Sequence, residues 1–151
     1  MLLARFDGAC EHKNLGGRAA CACLIRRGTE EIYRRTEYLG FGAEMTNNVA
    51  EYSGLLLILK WFNSREPKER LHIIGDALLV IRRMKRGASK PPVGICASLA
   101  DDCVLAASWY QRWLSFEWQP AEENGECDAM CKLAIEDEIV RCSQLVANPQ
   151  N

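Results

Sequence analysis

The sequence lacks the long apolar run that a membrane-spanning helix needs. Its apolar stretch at residues 55–59 ends at Lys60, whereas a helix that crosses a bilayer needs about 20 such residues. The sequence also lacks an excess of one charge, because 19 basic and 20 acidic residues leave a formal net charge of −1. A broad cationic surface is therefore excluded, and any nucleic-acid-binding surface must be local.

The amino-terminal residues, MLLARFDGACEHKN, lack the basic start, long apolar middle and cleavage site of a secretory signal. We therefore expect a cytoplasmic protein that does not bind membranes, in which the eight cysteines are free thiols buried in the core. The spacing of these cysteines also lacks the paired pattern of a structural zinc site.

The composition fits one globular domain. The chain has 151 residues, of which 48% are hydrophobic and 26% are charged, close to the averages for folded domains of this size. No internal repeat or low-complexity linker divides it. We expect residues 1–147 to form a single domain and residues 148–151 to form a polar tail.

Apolar segments predict five β-strands, at residues 2–6, 19–26, 30–39, 71–75 and 114–119. The first should end in a turn at Asp7 and Gly8. A short glycine-containing connection at residues 27–29 indicates a hairpin, so the first three strands should pair antiparallel.

Helix-forming segments follow, at residues 49–64, 77–86, 96–113 and 127–145. Thr46, Asn47 and Asn48 offer side chains that can cap the first helix. The alternation of strands and helices in this half of the chain is typical of parallel strand pairing in an α/β protein.

Four carboxylates stand where predicted elements end or begin, namely Asp7, Glu51, Asp76 and Asp128. Ligands in open α/β sheets collect beyond the strand ends, so these side chains can converge. Clustered carboxylates raise one another's proton affinity, and such a cluster normally persists only where cations occupy it. Oxygen ligands suit Mg²⁺ or Mn²⁺, and two such ions can drive phosphodiester hydrolysis without a side-chain nucleophile.

Each carboxylate also has an ordinary structural explanation. Asp7-Gly8 is a common turn dipeptide, Asp76 and Asp128 are favourable near helix amino termini, and Glu51 can be solvated or ion-paired. Only the joint placement of the four residues in this order of elements favours a site.

Four motifs together resemble those of the ribonuclease H type 1 family: DGAC at residues 7–10, TNNVAEYSGLL at 46–56, GDALLVI at 75–81 and PAEENGECDAM at 120–130. They occur in the family's order. TNNxAEY before an apolar helix is the specific one, whereas a single DG or GD pair means little. The chain between the last two motifs has no room for the extra basic helix of some members, so the sequence resembles the compact form.

The resemblance implies an α/β ribonuclease H-like fold, with a five-stranded mixed sheet and helices on both faces. It implies hydrolysis of the RNA strand of RNA–DNA hybrids, with two Mg²⁺ or Mn²⁺ ions and no obligate protein partner. The metal-binding and catalytic residues would be Asp7, Glu51, Asp76 and Asp128. Glu51 would also lie near the ribose 2′-hydroxyl that identifies RNA. The contacts to nucleic acid would come from Gly8, Cys10, Asn14, Thr46, Asn47 and Asn48.

A basic patch at residues 82–86 makes Arg82 and Arg83 candidates for phosphate contacts, although solvated charge at a helix end is the alternative. The tryptophans of the carboxyl-terminal half are expected in the core rather than as base-stacking platforms, namely Trp109, Trp113 and Trp118. His72, inside an apolar strand, is expected to be a packed histidine, with a catalytic role as the alternative.

Two other functions stay open. Ala77 and Ala121 stand where family members often have serine and arginine, and together with the missing basic helix they favour a non-catalytic nucleic-acid-binding module on the same fold. Glu44 stands where some members place a phosphate-binding arginine. A nuclease that acts on other duplexes, such as double-stranded RNA, is also consistent with the motifs because a fold alone does not fix the substrate.

Overall fold

A five-stranded mixed sheet organises the residues that the computed structural model describes, which are 1–11, 16–66, 69–86 and 94–148. The strands are β1 (Leu2–Cys10), β2 (Gly17–Arg27), β3 (Glu30–Gly42), β4 (Leu71–Gly75) and β5 (Leu114–Trp118). The helices are α1 (Asn47–Asn63), α2 (Leu78–Arg86), α3 (Ile95–Ser108) and α4 (Gly125–Ala147). Short 3₁₀ helices precede β5 and α4, at Gln111–Trp113 and Ala121–Asn124.

The strand order is β3-β2-β1-β4-β5. β1 pairs antiparallel with β2, and β2 pairs antiparallel with β3. β1 pairs parallel with β4, and β4 pairs parallel with β5. The α/β class, the five strands and the antiparallel arrangement of the first three confirm the expected fold.

Hydrophobic side chains cover both faces of the sheet. On one face Phe6 and Cys23 belong to a large core with Leu55 of α1 and Cys103 of α3. On the other face a smaller core joins β2 to α4, made of Ala22, Leu24, Cys127 and Cys131. The helices therefore lie on both faces, and burial of this apolar surface holds the layers together.

Two boundary predictions are wrong. β1 does not end at a turn, because Asp7 and Gly8 pair with Ala22 and Cys21 of β2. The helix predicted to reach residue 113 ends at Ser108, and Tyr110 packs edge-on against Phe62 with ring centroids 5.8 Å apart. Tertiary packing here outweighs the helical spacing of the apolar residues.

The expected burial of the tryptophans fails at two of the three positions. Trp109 is 73% exposed and Trp118 is 43% exposed, while Trp113 packs partly buried against the core. Trp109 follows the end of α3, where no described element covers it. Trp118 is the last residue of β5, and its indole nitrogen donates a hydrogen bond to the backbone oxygen of Asp76.

All eight cysteines are thiols outside any disulfide, as expected, but the expected burial fails at three of them. Five are buried, namely Cys21, Cys23, Cys103, Cys127 and Cys131, whereas the other three are half-buried. No helix in the described part of the chain is long and apolar enough to cross a membrane.

Candidate metal centre

Asp7, Glu51 and Asp76 converge beside the neighbouring strands β1 and β4, near the carboxyl end of β4. Each offers a carboxylate oxygen, and the three oxygens lie within 4.8 Å of one another. β1 and β4 pair in parallel up to Arg5 and Ile74, so Asp7 and Asp76 each lie two residues beyond the last pair. The parallel register therefore brings the two aspartates side by side.

Glu51 reaches the two aspartates because α1 packs closely against β1 at two glycines, one on each element. A Cβ on Gly8 would overlap the backbone of Ala50 and Glu51, and a Cβ on Gly54 would lie 2.8 Å from the carbonyl oxygen of Asp7. Only glycine permits so close an approach of helix and strand. Gly8 thus places the backbone of α1 where the Glu51 side chain meets Asp7.

Asn124 holds Asp76 in place from the 3₁₀ helix before α4. Its Nδ2 donates to the carbonyl oxygen of Phe6 at 2.7 Å and to Oδ1 of Asp76 at 3.0 Å, and its side chain is 2% exposed. Trp118 donates from Nε1 to the backbone oxygen of Asp76 at 2.9 Å. These hydrogen bonds connect β1, β4 and β5 beside the carboxylate cluster.

Sequence reasoning missed Asn124. The residue stands before a helix, where an asparagine usually caps, yet its side chain makes no capping bond. Its partners are 48 and 118 residues away in the chain. The only signal in the sequence is its place inside the fourth motif.

Asp128 lies in the first turn of α4, at the rim of the cluster. Its side chain is 39% exposed and accepts a hydrogen bond from Lys132 at 2.6 Å. Its charge contributes to the raised pKa of Asp7. The cluster is therefore three converging carboxylates with a fourth, solvated carboxylate beside them.

The three converging carboxylates are held close despite their charges. Burial, followed by the charge of Asp76, raises the pKa of Asp7 from 3.8 to about 7. Burial, followed by the charges of Asp7 and Asp76, raises the pKa of Glu51 well above its usual range. The side-chain hydrogen bond between Glu51 and Asp7 raises the pKa of Glu51 further and lowers that of Asp7.

A divalent cation fits this donor set. Oε2 of Glu51 is buried and has no hydrogen-bond partner in the described part of the chain, which is unfavourable unless another group satisfies it. All the ligand atoms are carboxylate oxygens, which suit hard cations such as Mg²⁺. A bound cation would also replace the mutual repulsion of the carboxylates by attraction.

The residues predicted to contact nucleic acid occupy different environments. Gly8 is buried, and its N–H donates to Oδ1 of Asp7 at 2.8 Å. Cys10 is half-buried, and its thiol donates to the carbonyl oxygen of Met45 at 3.2 Å. Asn14 lies outside the described residues. The structure thus gives Gly8 and Cys10 packing roles and leaves their contacts to nucleic acid as predictions.

Thr46 caps α1, because its Oγ1 accepts a hydrogen bond from the N–H of Val49 at 3.2 Å. The alternative role of Asn48 as the cap is therefore wrong. Asn47 and Asn48 form the first turn of the helix, where Asn47 is half-buried and Asn48 is exposed. Asn48 is free to point into solvent, one turn before Glu51.

The two candidate arginines differ. Arg82 is exposed, whereas the Arg83 side chain is only 12% exposed and donates to Asp101 of α3 at 3.1 Å. In the described part of the basic patch, the surface charge therefore comes from the exposed Arg82 and Lys85 rather than from Arg83. His72 is hydrogen-bonded through both ring nitrogens, to Ser115 at 2.8 Å and Glu117 at 2.7 Å, in line with a packed histidine.

The sequence matches no protein-family model, but solved structures share the architecture. LC11-RNase H1, isolated from compost by a metagenomic approach, gives a TM-score of 0.79 at 21% identity, covering 91% of this chain and 97% of that one. The N-terminal RNase H domain of Rv2228c from Mycobacterium tuberculosis gives 0.77 at 23% identity, covering 89% and 98%. This chain has the ribonuclease H fold.

A ribonuclease H fold similar to this one has also been solved with nucleic acid bound. The structure of LC11-RNase H1 in complex with RNA/DNA hybrid gives a TM-score of 0.77 at 20% identity, covering 92% of this chain and 99% of that one. Within the ribonuclease H fold of the present chain, the carboxylate cluster lies at the carboxyl end of β4 and beside Asp7 within β1, just past the last residue pair that joins the two strands. The carboxyl ends of parallel strands are where α/β sheets commonly bind ligands.

Proposed function

We propose that this chain is a type 1 ribonuclease H, a metal-dependent endonuclease that hydrolyses the RNA strand of RNA–DNA hybrids. The observation that carries the proposal is the convergence of Asp7, Glu51 and Asp76 within 4.8 Å. The four ordered motifs and the ribonuclease H fold support it. The hybrid bound to LC11-RNase H1 supports a hybrid as the substrate of this chain as well.

We assign the binding of two Mg²⁺ or Mn²⁺ ions to Asp7, Glu51, Asp76 and Asp128. Bound ions would supply an activated water and stabilise the leaving oxygen of the phosphodiester. Asp7 and Glu51 provide buried oxygens, and Asp76 provides a half-buried one. Asp128 lies at the rim and provides a more exposed oxygen. Its carboxylate forms a salt bridge with Lys132.

The side chains around the centre orient its ligands. Asn124 engages Oδ1 of Asp76, which fixes the carboxylate plane and leaves its second oxygen for a cation. Glu51 holds a proton at neutral pH while no cation is present, because burial and its neighbours favour the neutral form. Cation binding therefore has to displace this proton.

The hybrid would approach over the amino terminus of α1. Asn48 is exposed there, and the partial positive charge of a helix amino terminus favours phosphate oxygens. We propose that Thr46, Asn47 and Asn48 contact the backbone and that Glu51 lies near the ribose 2′-hydroxyl. Arg82 would add a phosphate contact from α2.

The domain that does this would comprise residues 1–147, with residues 148–151 as a tail. α4 ends at Ala147, which agrees with that boundary. A cytoplasmic location stays a prediction.

One gel assay tests the proposal. The protein is incubated with a hybrid, an RNA duplex or a DNA duplex, each with Mg²⁺, Mn²⁺ or a chelator. We expect cleavage of the RNA strand of the hybrid alone, only with metal, and its loss in Asp7→Asn and Asp76→Asn. Asp137→Asn, which changes an exposed carboxylate of α4, should retain activity.

Each other outcome contradicts the proposal in a distinct way. Cleavage of the RNA duplex at an equal rate would assign a broader nuclease. Hybrid binding without cleavage in either metal would assign the non-catalytic module that Ala77 and Ala121 suggest. Full activity in Asp7→Asn would remove the carboxylate cluster from the mechanism.

A further inference from the structure

Trp118 stands beside the metal centre although much of it is exposed. It is the last residue of β5, where it pairs with Gly75 of β4, and Asp76 follows Gly75 directly in the chain. The residue is 43% exposed, whereas full burial of so large an aromatic ring would be favourable. Core packing alone therefore does not account for its position, and the contacts of the indole nitrogen matter.

The indole nitrogen contacts the junction between β4 and α2. The ladder of β4 and β5 ends at Gly75, whose carbonyl oxygen accepts from the N–H of Gln119 at 3.1 Å. The hydrogen bonds that lead into α2 begin at Ala77, whose carbonyl oxygen accepts from the N–H of Ile81 at 3.0 Å. The carbonyl oxygen of Asp76 lies between them and accepts from no backbone N–H in the described part of the chain.

Trp118 supplies the donor that this carbonyl oxygen lacks from the backbone. Its Nε1 donates to the backbone oxygen of Asp76 at 2.9 Å. The neighbouring side chain, Ala77, has no polar atom that could make such a bond. Since neither the strand nor the helix holds this peptide group, the indole N–H restricts its rotation.

Asp76 is therefore held at two points. Asn124 donates to its carboxylate oxygen Oδ1 at 3.0 Å, and Trp118 donates to its backbone oxygen. The charge of Asp76 contributes to the raised pKa values of Asp7 and Glu51. The carboxylates repel one another while no cation lies between them, so the two hydrogen bonds oppose a movement of Asp76 away from the cluster.

We propose that Trp118 is a positioning residue of the metal centre, which holds the backbone of Asp76 through its indole N–H so that the carboxylate stays within reach of a cation shared with Asp7 and Glu51. This inference rests on the proposed function, because it assigns a role within the same centre. Trp118 acts on the cation through Asp76. Its hydrogen bond lies near solvent, so its loss should weaken the site without abolishing it.

Trp118→Phe removes the donor and keeps an aromatic ring at the same place. In calorimetric titrations of Mn²⁺ without nucleic acid, the dissociation constant should rise about threefold to tenfold, in line with the loss of one hydrogen bond. Trp109→Phe is the matched control, because Trp109 is exposed and follows the end of α3. It should change the Mn²⁺ affinity by less than about twofold.

Cleavage kinetics separate this role from a direct contact with nucleic acid. At limiting Mg²⁺, Trp118→Phe should lower kcat by about threefold to tenfold, and added Mg²⁺ should restore kcat. The KM for the hybrid should stay within about twofold of the unsubstituted value. A ring that binds the hybrid would instead raise KM at every Mg²⁺ concentration.

NMR of the unsubstituted protein keeps the proposal testable if Trp118→Phe does not fold. In the ¹⁵N-labelled chain, Mg²⁺ should shift the indole N–H signal of Trp118 in a saturable manner. The midpoint should equal that of the amide signals of Asp7 and Glu51. The indole signal of Trp109 should stay in place.

Three results would overturn the proposal. Unchanged Mn²⁺ affinity in Trp118→Phe, or an indole signal that Mg²⁺ does not shift, would show that Asp76 keeps its place without this bond. Equal losses in Trp109→Phe and Trp118→Phe would indicate a general effect of removing an exposed indole. A raised KM with unchanged Mn²⁺ affinity would assign the ring to the nucleic-acid surface.

Failure of this inference and failure of the proposed nuclease are distinguishable. A protein whose Mn²⁺ affinity falls in Trp118→Phe, but which cleaves no hybrid, would contradict the nuclease and leave the positioning role intact. A protein that cleaves the hybrid equally well at limiting Mg²⁺ with and without the Trp118 indole would contradict the positioning role alone.

Discussion

Replacing Asp7 by asparagine should stabilise the metal-free protein, although it removes a residue of the proposed centre. Asp7 is 5% exposed and faces two neighbouring carboxylates. Asparagine keeps an oxygen that can accept from the N–H of Gly8, as Oδ1 of Asp7 does at 2.8 Å. The substitution therefore removes the buried charge and preserves the local hydrogen bond.

The size of the effect follows from the pKa of Asp7, which rises from 3.8 to about 7 on folding. One pKa unit corresponds to 1.36 kcal/mol, so the ionised carboxylate destabilises the folded state by about 4 kcal/mol at pH 8. Since the folded state binds the proton more tightly, this loss is absent below pH 4 and grows as the pH rises to about 7. Asp7→Asn should therefore gain roughly 2–4 kcal/mol at pH 8 and almost nothing at pH 4.

Urea denaturation with a chelator, at pH 4 and pH 8, measures both differences. Asp137→Asn, at an exposed position of α4, is the matched control and should change stability by less than about 0.5 kcal/mol. Adding Mg²⁺ at pH 8 should stabilise the unsubstituted protein more than Asp7→Asn, because cation binding favours the folded state. An Asp7→Asn protein that is no more stable at pH 8, or equally stabilised at both pH values, would refute the reasoning.

Three further predictions concern the surroundings of the centre. Gly8→Ala should destabilise the fold by about 1–3 kcal/mol and lower nuclease activity, because the added Cβ displaces α1. The control is Gly125→Ala, whose Cβ meets no atom within 4 Å. It should change neither the stability in thermal unfolding nor the activity in cleavage assays. Asn124→Ala should lower stability by about 1–3 kcal/mol and reduce kcat more than it raises KM, because the buried carbonyl oxygen of Phe6 and the half-buried carboxylate of Asp76 lose their donor. Equal kinetics in Asn124→Ala and the exposed control Asn148→Ala would contradict this role. Arg82→Ala should reduce the slope of log affinity for the hybrid against log salt concentration by about one unit. Fluorescence anisotropy from low to high salt measures this slope, and an unchanged value would remove Arg82 from the interface.

The order of elements could be predicted from the sequence because hydrophobic periodicity encodes which face of a strand or helix is buried. Glu51 and Asp76 lie where the pattern places them, early in α1 and directly after β4. The sequence predicts Asp7 just after the first strand, whereas the residue lies within β1. The difference arises because pairing with β2 continues past the point where apolar residues stop.

The contacts that complete the centre could not be predicted in the same way. The crossing of α1 over Gly8 and the double hydrogen bond of Asn124 depend on which distant backbone atoms come together. The sequence predicts Asp128 in one cluster with the other carboxylates, whereas the structure pairs it with Lys132 at the rim. Local patterns specify elements and faces, whereas such partners are decided by tertiary packing.

The most direct test of the central claim is a crystal structure of the protein soaked in Mn²⁺, with the anomalous signal of manganese recorded. We expect a peak within coordination distance of carboxylate oxygens from Asp7, Glu51 and Asp76, and no such peak in Asp7→Asn. A manganese peak elsewhere, with these three carboxylates still directed at one another and no ion between them, would contradict the assignment of a metal centre.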